Sequence, residues 1–339
     1  MGKIYIMSFF FIFLFTSLQG QNITLIDSIL LNMYDELEQE WNNKGYWGEA
    51  RIEKDNRYNE AIIFYAKMNS FYKINNIKKV KKAISYSFLN FQEDNGAFIQ
   101  ENKPSYVRTA MFLIGLAECY NVYKQLNYKK YLNEINKALK YLYNSPRSYT
   151  GNQGIAALTA FYLWSQILNK DSVIQYFIKQ REFIINDFIQ IDSTKGFWPE
   201  GPRHWSINVP YAQIQSIFLG KYLLLNPNDK KLLKLYKTQL NSFFYLYDLD
   251  SMNINVINSA GNFRKNGIKT VKSSTPSVFF LKAFLYNDTL TNSEKIIIKS
   301  YQHYKEKYAK RKYVLSTDAY YRFGIIKEIE IKQHENISN

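Results

Sequence analysis

Apolar residues recur along this chain at the three-and-four spacing that places them on one face of a helix. Ile26, Ile29, Leu30, Met33, Leu37 and Trp41 mark a first helix, and Ala61, Phe64, Tyr65, Met68 and Tyr72 a second. The same spacing predicts helices over 80–91, 107–123, 131–143, 155–168, 173–189, 212–224, 232–246, 278–286 and 294–308. Strand-type alternation is confined to 252–257 and 312–315. The pattern is that of an all-helical protein.

Glycine-bearing breaks divide the helices into pairs. Taking Gly48, Gly96, Gly151, Gly196 and Gly261 as markers, the intervals are 48, 55, 45 and 65 residues, each long enough for one helical hairpin. Five or six such hairpins closing into a ring make an α/α toroid, an incomplete barrel whose inner helices line a cavity and whose loops form a cleft at one end. An open solenoid of helical pairs is the alternative. No low-complexity linker interrupts residues 21–339, so one domain is expected there.

Composition adds a location and a partner class. The apolar run from Ile4 to Leu18 follows Lys3 and precedes Gln19-Gly20-Gln21, which reads as a signal peptide over residues 1–20. It is shorter than the ~20 apolar residues of a membrane helix. The expectation is a secreted or periplasmic protein with no membrane span after cleavage. The single cysteine, Cys119, lies in an apolar helical pattern and reads as a buried small hydrophobe. The formal charge is +15, and removing residues 1–20 takes away only Lys3. Such a field concentrates polyanions. With no nucleic-acid motif in the chain, acidic polysaccharide is the expected partner rather than nucleic acid or anionic lipid.

The richest chemistry lies in the sixteen residues from Gly196 to Tyr211, which hold Trp198, Glu200, Arg203, His204, Trp205 and three prolines. Some forty-five residues earlier, Tyr149-Thr150-Gly151-Asn152-Gln153-Gly154 opens a helical pattern. Together these resemble the α/α-toroid polysaccharide lyases of the alginate lyase, chondroitin AC lyase and heparinase II type. Those families carry a catalytic Asn, often as Asn-His, followed by a Gly-Pro turn, a basic residue and a Tyr that opens a helix. The likeness covers roughly residues 145–265 and ends with Arg264 in Asn262-Phe263-Arg264. Gln153 and Glu200 stand where the family's Asn-His and His-Gly-Pro versions have histidine.

The resemblance implies β-elimination across a uronate without metal or organic cofactor. Asn152 and His204 would neutralise the substrate carboxylate so that the neighbouring proton becomes acidic, and Tyr211 would remove it and protonate the leaving oxygen. Arg264 and Arg108 would position the acidic substrate. Gln153, Glu200 and Arg203 would line the subsite, and Trp198 or Trp205 would stack on a sugar ring. Trp47 and Phe98, also beside turns, are further candidates for stacking.

Two other functions fit the same residues. A glycoside hydrolase needs paired carboxylates, for which Glu200, Asp94 and Asp318 are the loop candidates. A non-catalytic glycan-binding protein would keep the aromatics and the charge. His204, His303 and His334 are too scattered for a metal site, and no phosphate-binding glycine loop or Gly-x-Ser-x-Gly turn is present.

Overall fold

The computed structural model describes residues 24–48, 55–145, 151–199, 209–248, 251–255, 270–273, 275–308 and 320–338. Twelve α-helices are found among them: α1 Leu25–Gln39, α2 Ile62–Tyr72, α3 Ile77–Asn90, α4 Tyr106–Val122, α5 Leu132–Asn144, α6 Gly151–Leu168, α7 Asp171–Asn186, α8 Val209–Leu225, α9 Lys230–Phe244, α10 Ser277–Tyr286, α11 Ser293–Tyr308 and α12 Ile325–Ser338. They alternate in character along the chain. The odd-numbered helices are amphipathic: α5 buries Ile135, Ala138, Leu139 and Leu142 on one stripe, and α7 buries only Val173, Gln180 and Ile184. Of the even-numbered helices, α2, α4, α6 and α8 are apolar around most of their circumference. In α4 every residue from Thr109 to Tyr120 is buried.

That difference sorts the helices into two rings, because a helix apolar all round has to be enclosed. In the inner ring α2 packs on α4, α4 on α6, α6 on α8, α8 on α10 and α10 on α12. A π-helical turn, Tyr320–Gly324, leads into α12 and packs back on α2, which closes the circle. The amphipathic helices form the outer ring, where α11 meets α1. The fold is an α/α toroid of six hairpins, and its closure rules out the open solenoid.

Because inner and outer helices alternate, all inner helices run in the same direction and their N-termini gather at one end. The short strands collect there too, each set on an outer-to-inner connection. Trp41–Asn42 pairs with Tyr46–Trp47, Phe98–Gln100 with Lys103–Ser105, and Ile189–Gln190 with Gly196–Phe197. Tyr247–Asp248, Asn253–Asn255 and Thr270–Lys272 form a three-stranded sheet before α10. Gly96 shows why such a turn needs glycine. Its φ is +94°, and an added Cβ would lie 2.3 Å from the carbonyl carbon of Lys137 on α5.

The predicted helices match the eleven observed from α1 to α11 within a few residues at their ends. Helix α12 went unpredicted. Ile325, Ile326, Ile329 and Ile331 are interleaved with Lys327, Glu328, Glu330 and Lys332, which hides the helical stripe. Of the strand candidates, 252–257 contains Asn253–Asn255, and 312–315 lies outside the described residues. Residues 151–154 are the first turn of α6 and not a loop between helices. Residues 1–20 also lie outside the described residues, and no helix among those described is long and apolar enough to cross a membrane.

Candidate active site at the mouth of the toroid

Each inner helix delivers polar side chains to the end where its N-terminus lies. Ahead of α2, a 3-10 turn spans Asn56–Ala61 and is capped by Asp55, whose Oδ1 accepts the Arg57 backbone N–H at 2.8 Å. The Asp55 carboxylate is also 3.2 Å from the Arg57 guanidinium, which reaches on to Glu101 at 3.1 Å. Burial raises the Asp55 pKa, against the pull of the Arg57 backbone N–H and of the Arg57 and Arg108 charges. Glu60, wholly buried at the end of this turn, accepts from Arg108 Nη1 at 2.9 Å. Arg108 sits in the first turn of α4, where Ser105 caps the helix.

Asn152 lies in the first turn of α6, buried, with its Oδ1 accepting no hydrogen bond. It therefore does not cap its helix through that oxygen. Its neighbour Gly151 lets α6 approach the next hairpin closely: a Cβ there would be 2.8 Å from Gln215 Nε2 on α8 and 3.0 Å from Trp198 Cβ. Tyr211, near the start of α8, is 41% exposed. Gln213, one turn in, accepts from the hydroxyls of Tyr247 and Ser273, each at 3.3 Å. Ahead of α12, Arg322 donates to Thr275 Oγ1 at 2.7 Å.

Two unpartnered groups lie in the same region. The side-chain amide of Asn56 is fully buried, and neither its Nδ2 nor its Oδ1 has a hydrogen-bond partner. Tyr321 Oη is buried and unpaired, and burial with the negative charges of Glu118, Glu60 and Glu328 holds its pKa far above the ordinary range. Unmet polar groups of this kind are costly in a core.

Farther down the axis, four buried charges from four inner helices close a ring. Lys67 Nζ on α2 is 2.7 Å from Glu118 on α4 and 2.6 Å from Glu328 on α12. Lys221 Nζ on α8 is 2.8 Å from Glu118 and 3.0 Å from Glu328. The signs alternate, so every charge has two opposite neighbours and the ring is neutral. Both ammonium groups also face the Tyr320 ring, at 5.8 and 5.5 Å from its centroid. Glu118 lies twelve residues after Tyr106, the first residue of α4, so this floor is ~18 Å below the mouth.

The residues expected from the sequence divide into three groups. Arg108, Asn152, Gln153 and Tyr211 lie at the starts of α4, α6 and α8, neighbouring inner helices. Trp198 does not present a sugar platform: it is 1% exposed, donates from Nε1 to the Ile184 carbonyl at 2.7 Å and meets the Phe188 ring edge-on. Trp47 and Phe98 are buried as well, because the hairpins that carry them press their aromatic residues onto the helix ends. Glu200, Arg203, His204, Trp205, Arg264 and Asp318 lie outside the described residues. Asp94 is exposed in a turn whose Gly96 abuts outer helix α5.

Sequence reasoning missed Asn56, Glu60, Gln213, Arg322 and the four charges of the floor. The signal for Asn56 and Glu60 was a polar run placed directly before an apolar helix. For Lys67 and Lys221 it was a lone charge within an apolar helix, and for Glu118 a charge in the middle of an apolar run. Among the described residues no group of His, Cys, Asp or Glu is arranged to hold a metal ion.

No protein-family model matches the sequence, and no curated protein matches it. Among solved structures, a glycosyl hydrolase family 88 protein from Bacteroides vulgatus superposes with a TM-score of 0.56 at 9% identity, over 89% of this chain and 99% of that one. A GH76 α-mannanase from Bacteroides thetaiotaomicron superposes with a TM-score of 0.51 at 10% identity, over 94% of this chain and 99% of that one. At these identities the likeness is one of fold.

Proposed function

We propose that this chain is an exported enzyme that cleaves an acidic polysaccharide at the mouth of the toroid by hydrolysing a glycosidic bond. The observation that carries this is the whole-chain fold shared with two glycoside hydrolases, together with a mouth where every inner helix start supplies a polar group. Fold alone does not assign chemistry, so the residues are named for test. Arg108, fixed by buried Glu60, takes the substrate carboxylate. Glu200, two residues beyond the anchored Trp198, is the carboxylate assigned to proton transfer at the glycosidic oxygen.

A second reading, β-elimination, is favoured by Asn152 and Tyr211. An amide with an unpaired oxygen and an exposed phenol open two neighbouring inner helices, the residue types needed to hold a uronate carboxylate and abstract the adjacent proton. The experiment is incubation of the mature protein with alginate, chondroitin, hyaluronan, heparan and glucuronan, following reducing ends and the ultraviolet absorbance of an unsaturated product. Reducing ends without absorbance, lost in Glu200→Gln, are the expected result. Absorbance that Tyr211→Phe abolishes replaces hydrolysis by elimination. Neither signal on any polymer overturns both catalytic readings.

A further inference from the structure

At the end of the toroid opposite the mouth, α3, the end of α4 and the connection into α5 line a half-open pocket of about 270 Å³. Its size is just under the ~300 Å³ at which small-ligand sites begin, enough for a single ring. Tyr120 lies fourteen residues after the start of α4, so the pocket is ~21 Å from the mouth along that helix. Ile84, Tyr120, Leu126 and Tyr131 contribute its apolar walls, and Lys81 and Lys130 stand among its lining residues. The Tyr131 ring is held firmly: it stacks on Phe88 with centroids 4.7 Å apart, and its hydroxyl is 2.5 Å from Ser85 Oγ. Lys130 Nζ lies 5.0 Å from the centre of the same ring.

The surroundings are predominantly basic, with Glu93 and Glu134 just beyond them. Lys78, Lys81 and Lys82 on α3 and Lys124, Lys129 and Lys130 on the connection are all exposed. Neither 77–92 nor 119–133 contains an aspartate or glutamate. Among the described residues these six lysines form no ion pair with a carboxylate. Lys79 on the same helix does, with Glu38 at 2.5 Å. Unpaired lysines around an apolar, aromatic-walled pocket suit a ligand that has flat ring faces and regularly spaced negative charges.

We infer that this flank is a second glycan site, which holds an acidic polysaccharide strand with one sugar ring seated in the pocket and its carboxylates on Lys81 and Lys130. The choice of polysaccharide rests on the acidic-glycan reading of the mouth, but the site itself needs no turnover. An anionic membrane fits less well, since Lys81 and Lys130 line a concave pocket and not a protruding apolar edge.

The test is affinity electrophoresis of the full mature protein in gels containing alginate, or neutral dextran as control, at low and raised salt. Wild-type protein is expected to be retarded by alginate only, and salt to release it. Arg108→Ala, with the mouth altered, is expected to remain retarded. Lys81→Glu/Lys130→Glu in that background is expected to lower affinity about tenfold, with the melting curve of Arg108→Ala itself, since both lysine side chains are exposed. Unchanged affinity in the combined variant overturns the site. Retention by vesicles of anionic lipid without retardation by alginate overturns the glycan assignment. Because binding is read without catalysis, an inactive mouth leaves the result interpretable.

Discussion

Glu118 and Lys221 meet 2.8 Å apart in the centre of the toroid, although they are 103 positions apart in sequence with three helices between them. Lys67 and Glu328 complete the ring around them. Each carboxylate accepts from two ammonium groups, an arrangement in which burial is compensated by geometry on both sides. The ring ties the first, second, fourth and sixth hairpins together and closes the axis below the mouth.

Breaking this ring on one side strands a buried charge. Glu118→Gln is expected to cost ~3–5 kcal/mol of stability, read from the urea midpoint. Glu118→Leu with Lys221→Met removes a whole pair and leaves Lys67 and Glu328 matched, so its cost should fall well below the sum of the single changes. An additive double variant would show that the four charges act independently.

The same ring sets an acid limit. Burial alone would raise the Glu118 pKa, but Lys221 and Lys67 outweigh it and hold the carboxyl at about 2, against an ordinary value near 4.5. A folded-state value below the unfolded one stabilises the fold above pH ~4.5, and that contribution is lost as the pH falls toward 2. Melting temperature should therefore decline over this interval in wild-type protein. The decline should be shallower in Glu118→Gln, and equal slopes would remove Glu118 from the account.

Trp198 is expected to matter for packing and not for binding. Trp198→Phe deletes the hydrogen bond to Ile184 and should destabilise by ~1–3 kcal/mol, while the KM of whichever polymer is cleaved stays within twofold of wild type. A large rise in KM at full stability would return Trp198 to the substrate.

Tyr211 is the converse case. Its exposure places Tyr211→Phe within ~0.5 kcal/mol of wild-type stability, so any fall in turnover reads directly on the phenol. Arg108→Ala is expected to lose both stability and activity, because Glu60 is then left buried without its cation. Glu60→Gln in the Arg108→Ala background should restore part of the stability without restoring activity. Recovery of activity as well would deny Arg108 a substrate contact.

Gly151→Ala tests the approach of α6 to α8. The added methyl meets Gln215 and Trp198 at 2.8 and 3.0 Å, and overpacking of this kind costs ~1–3 kcal/mol. The melting curve of the variant measures it directly, and wild-type stability would mean that Gln215 moves aside freely.

By itself the sequence determined eleven of the twelve described helices and their pairing into hairpins of similar length, both of which follow from spacing within a few turns, while the choice of a closed toroid over an open solenoid came from the contacts between α12 and the first hairpin. It also marked the starts of α4, α6 and α8, where Arg108, Asn152 and Tyr211 lie. Helix α12 escaped because charged residues interleave with its isoleucines and break its apolar stripe, and Lys327 and Glu328 find ion-pair partners in other hairpins. Tertiary structure alone decided that Lys67, Glu118, Lys221 and Glu328 form one ring, that Glu60 holds Arg108, and that Trp198 packs inward. The physical reason is ring closure. A charge or an indole carries the same local signal whether it faces solvent, substrate or core, and only the helices that come round to meet it settle which.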